Sequence, residues 1–422
     1  MRGRKLLLSL LLMVLSCSGP GGDGGDQGDP LFSELSVGFG DRFFWDFYSK
    51  EGSVIWMSVH DLLLDENIDR NYANIDRFDP VAFKNLQGYI RNSKFLVFWL
   101  TKGWQESWFD TDQLNRLMDL GYVPVFMYWY FGDSLDGVPS DAEVSEFMAD
   151  VERVILFLKK LRGKKILIFE PEFNVPAIVD DPVAGEEFAR VMKRAIEKVR
   201  SEVPDLLISL CMMDSGNRNA NDTNPSCGFE NCALGDIGSW IKADNVYAHL
   251  VNSLDFLCFQ EMVSQFSKDP ANPSEPKIYT EEEIGIDYLP ERILNFTLFL
   301  KDLYGKPVLL GYIAVASGTW NDLNGDGKIQ DDEFNPKGWD QKVVRTFRRL
   351  KELRPLLKEA GLFGYIPMML FDHPQHDEGG FHFFLRNEHH LGIVRTGAKE
   401  EVDLHLYGDI EPKGSVLEEI YR

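Results

Sequence analysis

Long apolar runs are missing from this chain of 422 residues. Its Leu6–Leu15 segment falls short of the ~20 residues that a membrane-spanning helix requires. Basic residues are in deficit, 44 Lys and Arg against 67 Asp and Glu, and the formal net charge is −23. A surface of that sign repels phosphate backbones, which excludes nucleic acid as a partner. Cysteine and histidine are scarce, at 5 and 8, so disulfides and metal sites must come from few residues. Aromatic rings, by contrast, are plentiful: 9 Trp and 30 Phe within a 13% aromatic content. Most such rings fill a core, and the remainder can stack on flat ligand faces.

The N-terminus reads as an address. Arg2, Arg4 and Lys5 precede the short apolar run, which ends in Val14-Leu15-Ser16-Cys17. This resembles the lipobox of bacterial lipoproteins. The resemblance implies that residues 1–16 are a signal peptide and that Cys17 carries lipid, the alternative being an ordinary cleaved signal peptide. Residues 17–30 are a Gly/Asp-rich tether, flexible by composition. The expected location is the bacterial cell envelope, at the outer membrane or cell surface, with the membrane touched only through the lipid. In such an oxidising compartment Cys227 and Cys232, close together in a polar loop, could close a small disulfide. Cys211 and Cys258 lie in apolar runs and read as buried thiols.

From Leu31 onward, short apolar runs alternate with amphipathic stretches. The runs are Val54–Val59, Phe95–Leu100, Val123–Tyr130, Ile166–Phe169, Leu206–Met212, Leu254–Phe259, Pro307–Val315 and Phe363–Leu370. Phe43–Tyr48 competes for the first place. Helical spacing marks Asp112–Leu120, Asp141–Leu161, Gly185–Val203, Pro290–Tyr304 and Lys342–Ala360. Strand-then-helix alternation with eight strands predicts a (β/α)8 TIM barrel with long βα loops, one domain over residues 31–422. The tail after Arg395 can add a small strand and a final helix.

Active sites of such barrels lie at the carboxyl ends of the strands. His60-Asp61 ends the first run, where it could orient a substrate hydroxyl or cap the next segment. Trp104 follows the second run. Trp129 and Tyr130 end the third, where rings can pack on the C–H faces of sugars. The fourth run leads into Glu170-Pro171-Glu172-Phe173-Asn174. Two carboxyl groups flanking a bond are what a glycosidase needs, one of them kept protonated to donate to the leaving oxygen. Glu170 and Glu172 are spaced to point the same way and to raise one pKa by repulsion. Glu170 could instead be an ion-pair partner deeper in the barrel.

Glu172-Phe173-Asn174 resembles the acid/base strand of clan A glycoside hydrolases, most of all the family 26 mannanases. Pro171 stands here where that family has histidine. Lys306-Pro307-Val308-Leu309-Leu310-Gly311 is similar to the clan's seventh strand, and Leu391-Gly392-Ile393-Val394 with Gly397 to its closing segment. The resemblance implies polysaccharide hydrolysis with Glu172 as general acid/base. It departs from the clan at Tyr312, which occupies the position expected of the nucleophilic glutamate. Glu261, at the end of the sixth run, is the substitute expected from sequence, with Asp214 and Asp372 as the other candidates. Glu170, Asn174, Trp104, Trp129, Tyr130, Asp214, Gln260, Tyr312 and Asp372 are expected to contact substrate.

The sharpest motif is Asp322 to Glu333, DLNGDGKIQDDE, which fits the twelve-residue EF-hand calcium loop. Asp322, Asn324 and Asp326 supply oxygens, Gly327 allows the turn, Lys328 offers its carbonyl and Glu333 binds through its carboxylate. The expected ion is a structural Ca2+ in the loop after the seventh strand. His373, His376, His382, His389 and His390 crowd the next loop at spacings that match no metal motif; contact with substrate or solvent is the simpler reading. The sequence thus predicts an exported glycoside hydrolase acting on a poly- or oligosaccharide. A barrel that has lost catalysis and binds glycans is the alternative.

Overall fold

Eight apolar segments pair in parallel and close on themselves. They are Ser36–Gly40, Phe95–Thr101, Val123–Trp129, Lys165–Phe169, Leu206–Met212, Leu257–Val263, Val308–Val315 and Leu362–Pro367. Each pairs with its neighbours in that order, and the first joins both the second and the eighth. The structure is a computed structural model that describes residues 29–40, 44–213, 236–269, 272–325, 331–373, 389–397 and 405–422. The signal segment, most of the tether, Cys17, Cys227 and Cys232 lie outside these.

Alternating side chains serve two cores, because successive strand residues face opposite ways. Phe95, Val97, Val125, Met127, Ile166, Ile168 and Leu309 fill the barrel interior. Leu96, Phe98, Phe126, Leu167 and Phe169 face outward and meet the helices. Leu31 and Phe32, in the turn Pro30–Ser33, plug the amino end; Phe32 lies against Phe256 and Phe363 at 6.4 and 4.8 Å between ring centroids.

The helices start where the sequence caps them. Asp110 accepts the amides of Asp112 and Gln113 ahead of Thr111–Asp119. Ser140 and Glu143 form a capping box at the head of Asp141–Leu158, and Asp181 with Pro182 opens Pro182–Glu202. Leu289–Tyr304 stops at Gly305, whose φ of 70° is the left-handed conformation glycine adopts freely. Asp340–Glu359 leads to the eighth strand. These helices match the periodic stretches within a few residues.

The first barrel strand differs from the expectation. It is Ser36–Gly40, SVGFG, and neither Val54–Val59 nor Phe43–Tyr48 enters the barrel. Phe95 fills the space beside it: a Cβ on Gly38 would come within 2.5 Å of the Phe95 carbonyl oxygen. Glycine is needed for that approach, and it removes the apolar signature of a buried strand. Phe44–Tyr48 and Val54–Ser58 instead form an antiparallel hairpin, joined by His405–Leu406 in a three-stranded sheet. The expected final helix is Val416–Tyr421.

Cys211 and Cys258 are not free thiols. They are register partners on the fifth and sixth strands, 4.3 Å apart at Cα, and form a disulfide inside the barrel. Gly311 on the seventh strand leaves room for it, since a Cβ there would lie 2.5 Å from the Cys258 Sγ. Among the described residues no helix is long and apolar enough to cross a membrane.

Candidate active site

The segment after the fourth strand is strapped across the mouth. The Glu170 amide donates to the Tyr128 carbonyl at 2.9 Å, on the third strand's side. The Glu172 amide donates to the Cys211 carbonyl at 2.9 Å, on the fifth strand's side. The Asn174 side-chain oxygen accepts from the Met213 amide at 2.6 Å, so this residue braces the end of the fifth strand. Both carboxylate residues have left-handed backbones, φ 38° for Glu170 and 75° for Glu172. They are two of only four non-glycine residues with positive φ among the described residues. Each such conformation costs on the order of 1–3 kcal/mol and gathers at sites where side-chain placement matters.

Glu172 is half-buried, and its carboxylate accepts from the Tyr312 hydroxyl at 2.7 Å. Tyr312 gets there through a bulge. On the seventh strand Leu310 pairs with Phe259 but Tyr312 pairs with Gln260, so Gly311 is the extra residue. A bulge re-aims the side chain that follows it. Leu309 below lies in the interior core, while Leu310 and Ile313 on either side of the bulge face the helices. Trp99 lies 6.2 Å from the Tyr312 ring and 5.8 Å from the Trp129 ring, edge-on to the latter. Glu172, Tyr312, Trp99 and Trp129 are thus brought together at the strand ends. Trp99 was not singled out from the sequence; its place after Phe95 and Val97 on the inward face was the available signal.

Gln260 sits opposite Tyr312 on the sixth strand. Cys258 below it faces the interior and Phe259 the helices, so alternation turns Gln260 inward. It is fully buried, and neither amide atom has a hydrogen-bond partner among the described residues.

Other expectations do not survive the geometry. Glu261 follows Gln260 and therefore faces outward. It is fully buried and ion-paired with Arg292 of helix Leu289–Tyr304, which also pairs with Asp236 at 3.0 Å. That places it in the helix layer rather than at the mouth. Trp104 is buried in the same layer, its indole N–H donating to Asp150 at 3.0 Å. Tyr130 packs on Phe147, 5.3 Å between centroids, with Lys102 over its ring. Neither ring faces the interior.

Asp372 is sealed in a buried group with Lys413 at 2.8 Å and His390 at 3.1 Å. Burial works to raise its pKa, but the Lys413 and His390 charges prevail and hold it below the ordinary value. Asp61 belongs to the capping box of Ser58 at the head of Val59–Leu64, and His60 stacks on Phe98 in the helix layer. Asp214, His376 and His382 lie outside the described residues.

Glu170 is held by backbone amides, with no ion-pair partner among the described residues. Its carboxyl is fully buried and accepts the amides of Tyr130 at 3.1 Å and Phe131 at 3.3 Å. Burial pushes its pKa up to about 8, against the opposing pull of those two amides. At neutral pH it is largely uncharged, and it ties the ends of the third and fourth strands.

The described ends of the calcium-type loop meet through hydrogen bonds. Glu333 accepts the amides of Leu323 at 2.9 Å and Asn324 at 3.3 Å, and Asp322 accepts that of Gly325 at 2.7 Å. Asp322, Asn324 and Glu333 fit the first, third and twelfth positions; Asp326 and Lys328 lie outside the described residues. Among the described residues no group of three or more His, Cys, Asp or Glu could hold a metal.

No family model matches the chain, and no curated relative matches it. Among solved structures, a family 1 β-glucosidase from Thermotoga maritima aligns over 88% of this chain and 94% of its own, at 14% identity and a TM-score of 0.47. A β-glucosidase from Exiguobacterium marinum aligns over 86% of this chain and 94% of its own, at 12% identity and a TM-score of 0.46. Likenesses so distant assign no role to any residue here.

Proposed function

We propose that the protein is an exported glycoside hydrolase in which Glu172 moves the proton. The observation that carries the reading is the Glu172 carboxylate at the mouth of a closed barrel, in a strained backbone conformation and gripped by the Tyr312 hydroxyl. Trp99 and Trp129 beside it offer faces for a sugar ring. As an acid, Glu172 would give its proton to the glycosidic oxygen as the C–O bond breaks. The Tyr312 hydroxyl would steady the carboxylate left behind. With Glu261 facing Arg292 and Asp372 facing Lys413, Asp214 is the remaining sequence candidate for the second carboxylate.

Export is supported by the N-terminal pattern and by the Cys211–Cys258 disulfide, a bond that persists in oxidising compartments. Lipid attachment at Cys17 belongs to the same reading, as does the likeness to clan A and its family 26. A structural Ca2+ is supported by the sequence pattern alone, in which Asp322, Asn324 and Glu333 stand at ligand positions and carry the oxygen donors this ion prefers. A glycan-binding barrel without turnover is the second reading. Tyr312 at the nucleophile's expected place, with Glu261 turned outward, favours it.

The deciding experiment incubates the chain, with calcium, on mannan, xylan, β-glucan and α-glucan and counts reducing ends released. Release from one of them supports hydrolysis and names the substrate class. Binding to a glycan without release from any would establish the second reading.

A further inference from the structure

The small sheet outside the barrel has one face committed to the core and one that is not. Trp45, Phe47 and Met57 point inward, and Trp45 meets Phe371 edge-on at 4.8 Å. The opposite face of Phe44–Tyr48 carries Phe44, Asp46 and Tyr48; that of Val54–Ser58 carries Val54 and Trp56. Trp56 is 67% exposed, Val54 40% and Phe44 37%. The Phe44 and Trp56 rings lie 5.5 Å apart. Scattered single apolar residues on a surface need no explanation, but three contiguous ones with a paired Trp are a patch.

The other end of this face opens into a cavity of 360 Å³. Tyr48, Lys50, Val54, Asp76, His405 and Tyr407 line it. Tyr48 stands edge-on to His405 at 5.3 Å and 5.8 Å from Tyr407. The volume lies at the lower end for small-molecule sites. The two ends are four residues apart on one strand, about 13 Å, the reach of a short oligosaccharide.

We propose that this face is a second carbohydrate-binding site, taking a neutral glycan chain along the strip from Trp56 to Tyr407. Rings supply stacking faces, and Lys50, Asp76 and His405 supply hydrogen-bonding groups of both signs, which suits hydroxyls better than a charged ligand. The net charge of −23 disfavours anionic polysaccharides and anionic membranes as occupants. The hairpin is inserted after the carboxyl end of the first barrel strand, so it stands on the mouth side of the barrel. The site is argued from its own residues and does not depend on turnover at the mouth.

The test is retardation of the full chain in native gels cast with soluble mannan or β-glucan, polygalacturonate serving as the anionic control. Glu172→Gln is the background, so that no polymer is cut. Adding Trp56→Ala should weaken retardation by one neutral polymer at least fivefold, with no retardation by polygalacturonate. The single Trp56→Ala variant should keep wild-type rates on small aryl glycosides. Full retardation in Trp56→Ala and in Tyr407→Ala would overturn the proposal. So would a Trp56-dependent dimer, or Trp56-dependent sedimentation with phosphatidylcholine vesicles, accompanied by unchanged glycan affinity. Trp56-dependent retardation of a protein that hydrolyses nothing would leave this site standing while the hydrolase reading falls.

Discussion

Glu170→Gln isolates one buried proton. The Glu170 carboxyl is fully enclosed and its pKa is raised from the ordinary 4.5 to about 8 by burial. The folded protein therefore holds a proton that the unfolded chain releases across that window. Stability from this group is complete below pH 4.5, declines as pH rises through the window, and is gone above pH 8. At about 1.36 kcal/mol per unit, the full span is on the order of 5 kcal/mol. With an unfolding entropy of about 2.1 cal/mol/K per residue, a chain of this size converts that to roughly 5 °C in Tm. Glutamine keeps the shape and an acceptor for the Tyr130 amide but does not titrate. Thermal melts of both proteins at pH 5, 7 and 9 should show the wild type losing several degrees relative to the variant as pH rises. A difference constant across pH would refute the claim that burial, rather than the two amides, governs this carboxyl.

Tyr312→Phe removes the hydroxyl that grips Glu172 while keeping the ring beside Trp99. A hydrogen bond to a charged group is worth ~1.5–3 kcal/mol, so kcat/KM should fall roughly 10- to 100-fold with Tm nearly unchanged; steady-state kinetics would show it. Glu261→Gln should do the reverse, costing about 3 kcal/mol in a denaturant melt by breaking the buried pair with Arg292, while kcat of the folded protein is retained. Calcium should raise Tm in a concentration-dependent way in the wild type, and Glu333→Gln should abolish that response.

The barrel was legible because seven of its strands are apolar on both faces, and a parallel sheet with both faces covered leaves that signature. The first strand was not, since Gly38 and Gly40 replace apolar side chains where other groups press close. Glu172 stood out by its chemistry, and Trp129 by its position at a strand end. Tyr130 and Glu261 were misplaced for one shared reason. A strand-end residue faces the mouth or the helices according to its parity, and a shift of one position reverses the outcome. Tyr312 reaches the mouth only through the bulge at Gly311, which no local pattern announces. The Cys211–Cys258 pair depends on the register between two strands, and a separation of 47 residues cannot supply that.

The most direct measurement is turnover of the best glycan by wild type and Glu172→Gln side by side, with glycan affinity measured on both. The variant should lose nearly all turnover while its Tm and affinity stay close to those of the wild type. A variant that hydrolyses at the wild-type rate would contradict the assignment of proton transfer to Glu172.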